Sequence, residues 1–288
     1  MPEETSAFRE TLSLVDPSEE FHVDSSLSLE MTPALRAAIA GTQPLRVLCL
    51  HGFLQNGATL SQKTGRLRKA IKKVANFEFV DSPVLFTAEE LAADEVLKNS
   101  QVLDTSDPDT LRSWWRMDTQ RLVYHSFDET LANLEQVFRE QGPFDGVFGF
   151  SQGAAMGALL AHLKSKGGPD RSGLPWLADL RFAILVSGFR ARDPSLRYLF
   201  DTPVDFPSLH IIGEGDRIVA PSRSVTLSET FLQPEVLSHQ GKHFVPTDKQ
   251  TCEVVLTFLS HMLAEKTARQ ADAIEAAETT AAPQPAST

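Results

Sequence analysis

The decisive stretch of the chain reads Phe144-Asp145-Gly146-Val147-Phe148-Gly149-Phe150-Ser151-Gln152-Gly153-Ala154-Ala155-Met156-Gly157-Ala158. It begins with a short apolar segment typical of a buried strand and ends with small residues that suit a closely packed helix. Between them, Ser151 stands in a Gly-x-Ser-x-Gly pattern. That pattern places a serine at a sharp strand-to-helix turn, with its hydroxyl exposed and the N–H groups of a helix N-terminus beneath it. We therefore predict that Ser151 is a nucleophile.

Outward from this turn, short apolar segments alternate with segments of helical periodicity. Strands uniformly apolar along their length are buried on both faces, so we predict the α/β class, with a mostly parallel sheet and helices on both faces. Residues 84–117 break the alternation after a strand, and we predict a lid-like insertion there. The predicted strands are 45–50, 77–80, 144–150, 182–188, 209–213 and 235–239, and the main predicted helices are 58–74, 127–140, 154–163 and 247–264.

The bulk properties exclude several classes of protein. A net charge of −11 and a pI near 5.2 argue against nucleic-acid partners. No apolar run is long enough for a stable membrane insertion. The two cysteines, Cys49 and Cys252, show no zinc-site spacing and fit a reducing compartment. The N-terminus lacks a secretory signal, so we expect a cytoplasmic location, or a nuclear one as well. No metal or organic cofactor is expected.

We predict three parts of the chain. Residues 1–43 form a polar, partly disordered extension with a short helix at 33–40. Residues 44–266 form one α/β domain. Residues 267–288 are rich in Ala, Glu, Thr and Pro and are predicted to be disordered. Oligomeric state does not follow from the sequence.

A serine nucleophile in such a sheet needs an acid and then a base later in the chain. Asp216 follows the strand at 209–213 and is the preferred acid, with Glu214 as its nearest rival. His243 lies on a glycine-containing loop before the final helix and is preferred as the base over His239, which ends a strand. The weaker rivals for the acid are Asp193 and Asp205, and the histidines assigned to packing or surface positions are His162, His210 and His261.

The oxyanion of an acyl-transfer intermediate requires two N–H donors. We predict that Gln152 supplies one and that Phe53 supplies the other, with Leu54 as second choice. His51 precedes the nucleophile in the chain and is interpreted as a structural residue that shapes the loop. A hydrophobic acyl pocket is predicted from nearby apolar residues: Phe53, Leu54, Leu85, Phe86, Trp114 and Trp115. The adjacent tryptophans are expected to pack against either the core or a ligand.

Several blocks together resemble the fungal "family of serine hydrolases" group, which includes the ovarian-cancer-associated serine hydrolase of animals. The resemblance covers about residues 44–264. The blocks are Leu50-His51-Gly52-Phe53-Leu54-Gln55-Asn56-Gly57, Asp81-Ser82-Pro83, Gly142-Pro143-Phe144-Asp145-Gly146, Phe150-Ser151-Gln152-Gly153-Ala154-Ala155, Ser187-Gly188 and Gly241-Lys242-His243-Phe244-Val245-Pro246.

The resemblance implies an α/β hydrolase with the triad Ser151, Asp216 and His243, acting as an esterase or thioesterase on acyl substrates. One departure is the segment Ile218-Val219-Ala220-Pro221, which carries one residue more than the family usually has after the acid. We expect hydrolysis of carboxylic esters with apolar acyl chains. The alternatives are a thioesterase that releases an acyl or polyketide chain from a carrier, and a non-catalytic binding protein of the same fold.

Overall fold

The computed structural model describes residues 32–87, 89–90, 111–118, 120–168 and 173–281. The strands are β1 (Leu45–Leu50), β2 (Ala75–Val80), β3 (Val84–Leu85), β4 (Arg112–Ser113), β5 (Arg116–Met117), β6 (Tyr124–His125), β7 (Gly146–Phe150), β8 (Phe182–Val186), β9 (Ser208–Gly213) and β10 (Pro234–His239). The helices are α1 (Pro33–Ala38), α2 (Gly57–Lys63), α3 (Gly65–Ile71), α4 (Phe127–Gln141), α5 (Gln152–Lys166), α6 (Pro221–Ser228) and α7 (Lys249–Ala281), with 3-10 turns at Pro175–Leu177 and Pro194–Phe200.

Six strands form one parallel sheet in the order β10-β9-β8-β7-β1-β2. The predicted α/β class and parallel sheet are therefore confirmed. The chain runs from β1 to β2 on one side and later returns to place β7 on the other side of β1. In open α/β sheets a ligand binds at such a switch point, outside the carboxyl ends of the strands. The loop after β1 and the turn after β7 meet at this point.

Apolar clusters cover both faces of the sheet. One contains most of α5 and the inward side of α4, and the other contains residues of α3 and α7. Helix α5 is buried along nearly its whole length, from Gln152 to Leu163. Its small residues allow this, because Gly157 lies against Val147 and Leu185 with no side chain between them. The close packing fixes the N-terminus of α5 against the ends of β1 and β7.

Two predictions about helices are wrong. The single helix predicted at 58–74 is divided into α2 and α3 at Thr64, whose hydroxyl donates to the carbonyls of Leu60 and Ser61. Such side-chain bonds compete with the regular helix. The tail predicted to be disordered from 267 is helical as far as Ala281, because residues 267–281 contain no glycine or proline and are rich in helix-forming Ala. Residues 1–31 and 282–288 lie outside the described residues.

The predicted insertion at 84–117 is described only at its two ends. Strands β3 and β4 pair antiparallel, Val84 opposite Ser113 and Leu85 opposite Arg112, so the insertion leaves and re-enters the domain at one place. Residues 91–110, most of the predicted lid, lie outside the described residues. Among the helices described, none combines the length and apolarity needed to cross a membrane.

Candidate active site

The turn from β7 into α5 holds Ser151 in a strained conformation, with φ 54° and ψ −116°. A positive φ at a residue other than glycine costs on the order of 1–3 kcal/mol and persists only where surrounding structure enforces it. Both flanking glycines permit the close backbone packing that holds it here. A Cβ at Gly149 would lie 2.3 Å from the Gly153 carbonyl oxygen, and one at Gly153 would lie 2.1 Å from the Leu50 carbonyl oxygen. Since these obstacles are backbone atoms, no larger residue fits either position.

Three side chains from three strand ends form one hydrogen-bonded series. His243 Nε2 lies 3.0 Å from Ser151 Oγ, and His243 Nδ1 lies 2.7 Å from Asp216 Oδ2. Ser151 follows β7, Asp216 follows β9 and His243 follows β10. The structure thus brings together the three residues that the sequence predicted as nucleophile, acid and base.

The surroundings of Asp216 favour its ionised form. Its Oδ1 accepts hydrogen bonds from the backbone N–H groups of Ile218 and Val219, both at 2.9 Å. Burial acts to raise the pKa of Asp216, but the hydrogen bond to His243, its positive charge when protonated, and the two backbone donors together hold the pKa below the usual value. The additional residue in the segment after Asp216 therefore does not prevent this loop from holding the carboxylate.

The rival candidates lie in other contacts. Glu214 is exposed and accepts from the amide of Gln240. Asp193 accepts from the N–H groups of Tyr124 and Ser195, and Asp205 is exposed. His239 Nδ1 accepts from the Gly241 N–H. Within the described residues, none of the four takes part in a hydrogen bond with Ser151.

The loop after β1 lies beside the turn at Ser151. A Cβ on Gly52 would be 3.1 Å from the Phe150 ring, and the Gly52 N–H donates to Gln55 Oε1 at 3.3 Å. Gln152 is the first residue of α5, so its N–H has no partner within the helix. The predicted oxyanion residues Phe53 and Gln152 thus belong to two segments in contact at the switch point.

His51 is completely buried and is held at both ring nitrogens. Its Nε2 accepts from the Ser82 N–H at 3.1 Å, and therefore Nδ1 carries the proton and donates to the Gly52 carbonyl at 2.8 Å. Burial lowers the pKa of His51 to about 4. The ring is neutral at physiological pH and braces the loop, as its interpretation as a structural residue requires.

The two tryptophans do not offer a wall to a substrate. Trp114 is 0% exposed and Trp115 is 3% exposed. The indole N–H of Trp114 donates to the His51 carbonyl at 2.8 Å, and the ring of Trp115 stacks on Tyr124 with centroids 4.6 Å apart. Their assignment to substrate binding is therefore wrong: they pack beneath the site. The adjacency of the two tryptophans predicted packing against core or ligand, but it did not identify this supporting role.

The other predicted pocket residues divide into buried and exposed members. Leu54 is fully buried and Phe86 is 6% exposed, so Leu54 offers no surface and Phe86 almost none. Leu85 is exposed, and the partly buried Phe53 packs edge-on against Phe86 with centroids 5.6 Å apart. Phe53 and Leu85 are the members of the predicted set with appreciable exposed surface. In the described part of the chain, no three His, Cys, Asp or Glu side chains are grouped to hold a metal ion.

Comparison with known proteins identifies the family of the chain. Residues 41–255 match the family model described as "Serine hydrolase (FSH1)", which covers most of the chain. The chain belongs to this family. The serine hydrolase resembles "Esterase OVCA2" of Danio rerio, at 35% identity over 227 residues, 75% of this chain and 96% of that protein. The resemblance inferred from the motifs is therefore confirmed.

A second relative of this serine hydrolase is a Schizosaccharomyces pombe protein named "Dihydrofolate reductase", 36% identical over 208 residues. The match covers 71% of this chain but only 44% of that protein's length. Among solved structures, esterase PE8 superposes with a TM-score of 0.50 at 18% identity, covering 78% of this chain and 95% of that one. This likeness shows the fold, which is that of the α/β hydrolases.

Proposed function

We propose that this serine hydrolase cleaves carboxylic esters of apolar acyl chains through Ser151, His243 and Asp216. The observation that supports it is the series of hydrogen bonds from Ser151 Oγ through the His243 ring to Asp216, at a strained strand-to-helix turn. A serine hydroxyl is a weak nucleophile until an adjacent base can take its proton, and His243 is within reach to do so. The name "esterase" given to full-length relatives supports the same reaction.

The first half of the reaction acylates the serine. His243 Nε2 takes the Ser151 proton as Oγ attacks the acyl carbonyl carbon, and the carbonyl oxygen becomes an oxyanion. The N–H groups of Phe53 and Gln152 donate to that oxyanion, aided by the positive end of the α5 dipole. Collapse of the intermediate breaks the bond to the alcohol oxygen, which receives the proton from His243.

The second half releases the acid. His243 takes a proton from water, whose oxygen attacks the acyl carbon, and Ser151 leaves with that proton restored. Asp216 keeps Nδ1 of the ring protonated and Nε2 facing Ser151, and its negative charge stabilises the imidazolium formed in each half. The lowered pKa of Asp216 supports this role, because the carboxylate must stay ionised while His243 is charged.

The preference for apolar acyl groups is supported by the surface beside the oxyanion loop. Phe53 and Leu85 present apolar area there, and the buried ring of Phe86 supports Phe53. Each methylene buried against such a surface favours binding by about 0.8 kcal/mol. Rates should therefore rise from acetyl to medium-chain esters of the same alcohol.

A fluorophosphonate probe tests the nucleophile. The wild-type protein should be labelled, and Ser151→Ala should not. Ser187→Ala is the matched control, since Ser187 is also a buried serine at a strand end with positive φ. Labelling that persists in Ser151→Ala would exclude Ser151 as the nucleophile. If both variants lose labelling and keep native unfolding midpoints, labelling does not depend on Ser151 only, and the assignment of the nucleophile to Ser151 by itself would be contradicted.

A series of matched oxygen esters and thioesters from acetyl to decanoyl tests the substrate class. We expect kcat/KM to increase with acyl length and to be greater on the oxygen esters. Faster hydrolysis of acetyl esters would exclude the apolar acyl preference. A preference for thioesters would instead support the thioesterase reaction at the same serine.

A further inference from the structure

One peptide unit joins the buried His51 to the proposed oxyanion site. The Gly52 carbonyl and the Phe53 N–H belong to the same planar peptide, in which they point in opposite directions when the bond is trans. Within the described residues, the cis peptide bond is at Gly142-Pro143, so this one is trans. Because the Gly52 carbonyl accepts from His51 Nδ1 at 2.8 Å, the direction of the Phe53 N–H is fixed by the His51 ring.

Trp114 connects the loop that contains this peptide to the second proposed donor. Its indole N–H donates to the His51 carbonyl at 2.8 Å, and its ring lies 5.0 Å from the His51 ring, centroid to centroid. Its backbone N–H donates to Gln152 Oε1 at 3.0 Å, and Gln152 Nε2 donates to the Trp115 carbonyl at 2.9 Å. The side chain of Gln152 is thus held by the main chain of the two tryptophans, while its own N–H begins α5.

His51 and Trp114 are also bonded to the segment after β2 and to α4. His51 is held by the Ser82 N–H after β2, and the Trp114 carbonyl accepts from the Thr130 hydroxyl of α4. His51, Trp114 and Thr130 are each 0% exposed. Hydrogen bonds in such surroundings are strong and costly to break without replacement.

We infer that Trp114 and His51 are positioning residues that hold the Phe53 and Gln152 N–H groups in the alignment an oxyanion requires. Neither side chain has surface available to a substrate, so both act through the main chain. The inference rests on the proposed function and adds residues outside the triad to it. Removing one oxyanion donor costs about 10²–10³-fold in kcat, and a misplacement of about 1 Å can cost about 10²-fold.

The test replaces Trp114 by phenylalanine, which keeps an aromatic ring and removes the indole N–H. Trp176→Phe is the matched control, because Trp176 is a partly buried tryptophan that packs on Phe138 in another part of the core. Each variant is assayed on an ester and on the corresponding thionoester, in which sulfur replaces the carbonyl oxygen. The sulfur anion accepts hydrogen bonds weakly, so the ratio of the two rates measures donation to the oxyanion.

In Trp114→Phe we expect kcat on the ester to fall about tenfold or more. The thionoester rate should fall much less, and KM should stay nearly constant. In Trp176→Phe the ratio should equal that of the wild type. His51→Asn, which cannot hold both the Gly52 carbonyl and the Ser82 N–H, should lower the ratio in the same direction. Urea unfolding midpoints check that each variant is folded.

An unchanged ester-to-thionoester ratio in a folded Trp114→Phe protein would overturn the inference, as would an equal fall in both rates. If His51→Asn does not fold, Trp114→Phe decides the question alone. These outcomes differ from failure of the proposed function, which would show as activity remaining in Ser151→Ala. A constant ratio in an enzyme that depends on Ser151 rejects only the positioning role.

Discussion

We predict that three buried histidines make the stability of this hydrolase sensitive to mild acid. Burial lowers the pKa of His51 and of His162 to about 4, and that of His210 to about 3. All three side chains lie in the interior, where an imidazolium would lose its hydration. His162 and His210 pack on the same ring, that of Phe231. The sequence prediction placed both at packing or surface positions, and the structure shows that both pack in the interior.

The sign follows from comparing the two states. In the unfolded chain a histidine titrates near about 6.5, so between neutral pH and the folded pKa the unfolded state binds protons that the native state does not. Stability therefore decreases as pH falls through this window. At pH 5 each of the three histidines is expected to have lowered the free energy of unfolding by about 2 kcal/mol, and the three together by on the order of 6 kcal/mol. A whole domain is stable by only about 5–15 kcal/mol.

Carboxylates act in a lower pH window. The pKa values of Asp216, Asp193 and Asp248 are held below the usual value by hydrogen bonds to neighbouring donors, which outweigh the opposing effect of burial. Their stabilising contribution is present above the unfolded pKa of about 3.9 and is lost below it. At pH 5 this loss has scarcely begun. Instability that develops between pH 8 and pH 5 is therefore expected to come from the histidines.

Urea unfolding at pH 8 and at pH 5 measures the effect. His210→Gln removes one titrating ring and keeps a group able to bond to the Ser208 hydroxyl, which lies 3.1 Å from His210 Nε2. It should reduce the loss of stability between the two pH values by about 2 kcal/mol. His125→Gln, at an exposed position, should leave the loss unchanged. An equal loss in His210→Gln and wild type, or no loss in the wild type, would refute the reasoning.

Three further predictions follow from packing around the site. Gly153→Ala should lower the urea midpoint and abolish probe labelling, because the added Cβ meets the Leu50 carbonyl oxygen, whereas Gly173→Ala, with open space at its Cβ position, should do neither. Leu159→Ala in the fully buried α5 should cost about 2–5 kcal/mol in urea unfolding while the folded enzyme is still labelled; an unchanged midpoint would contradict its burial. Arg116→Ala should raise KM for medium-chain esters several-fold with little change in kcat, because the guanidinium donates to the Leu85 carbonyl at 2.8 Å and lies 4.5 Å from the Phe86 ring centroid. Equal KM values for variant and wild type in a steady-state assay would show that Arg116 has no role in acyl binding.

The sequence was sufficient to predict the sheet and the positions of the triad candidates. Each central strand is a short apolar run that ends at a turn residue, as Leu45–Leu50 does before His51-Gly52. Parallel strands place their carboxyl ends at one edge. Asp216 and His243, which follow two such strands, therefore had to lie on the same side of the sheet as Ser151. Local pattern and chain order were enough for these residues.

The supporting contacts could not be predicted because they join distant parts of the chain. Adjacent tryptophans signal packing against something, but the partner of the Trp114 indole is a carbonyl 63 residues earlier. Whether an aromatic ring faces a substrate or the interior depends on that partner. The extension of α7 to Ala281 was missed for another reason. The composition of residues 267–281 was interpreted as disorder, although no glycine or proline occurs between residue 267 and Pro283.

Comparison of two serines shows what sets the proposed nucleophile apart. Ser151 and Ser187 both follow a central strand, with φ 54° and 50°. Each donates its N–H to the neighbouring strand, to Val186 and Ile211 respectively, so the sheet bonding continues one residue into the turn and helps to hold the strained backbone. The Ser187 hydroxyl is buried without a hydrogen-bond partner in the described structure, whereas that of Ser151 lies 3.0 Å from His243. A strained turn at a strand end therefore does not by itself make a nucleophile, and the base that β10 delivers to Ser151 is the feature on which the proposed chemistry depends.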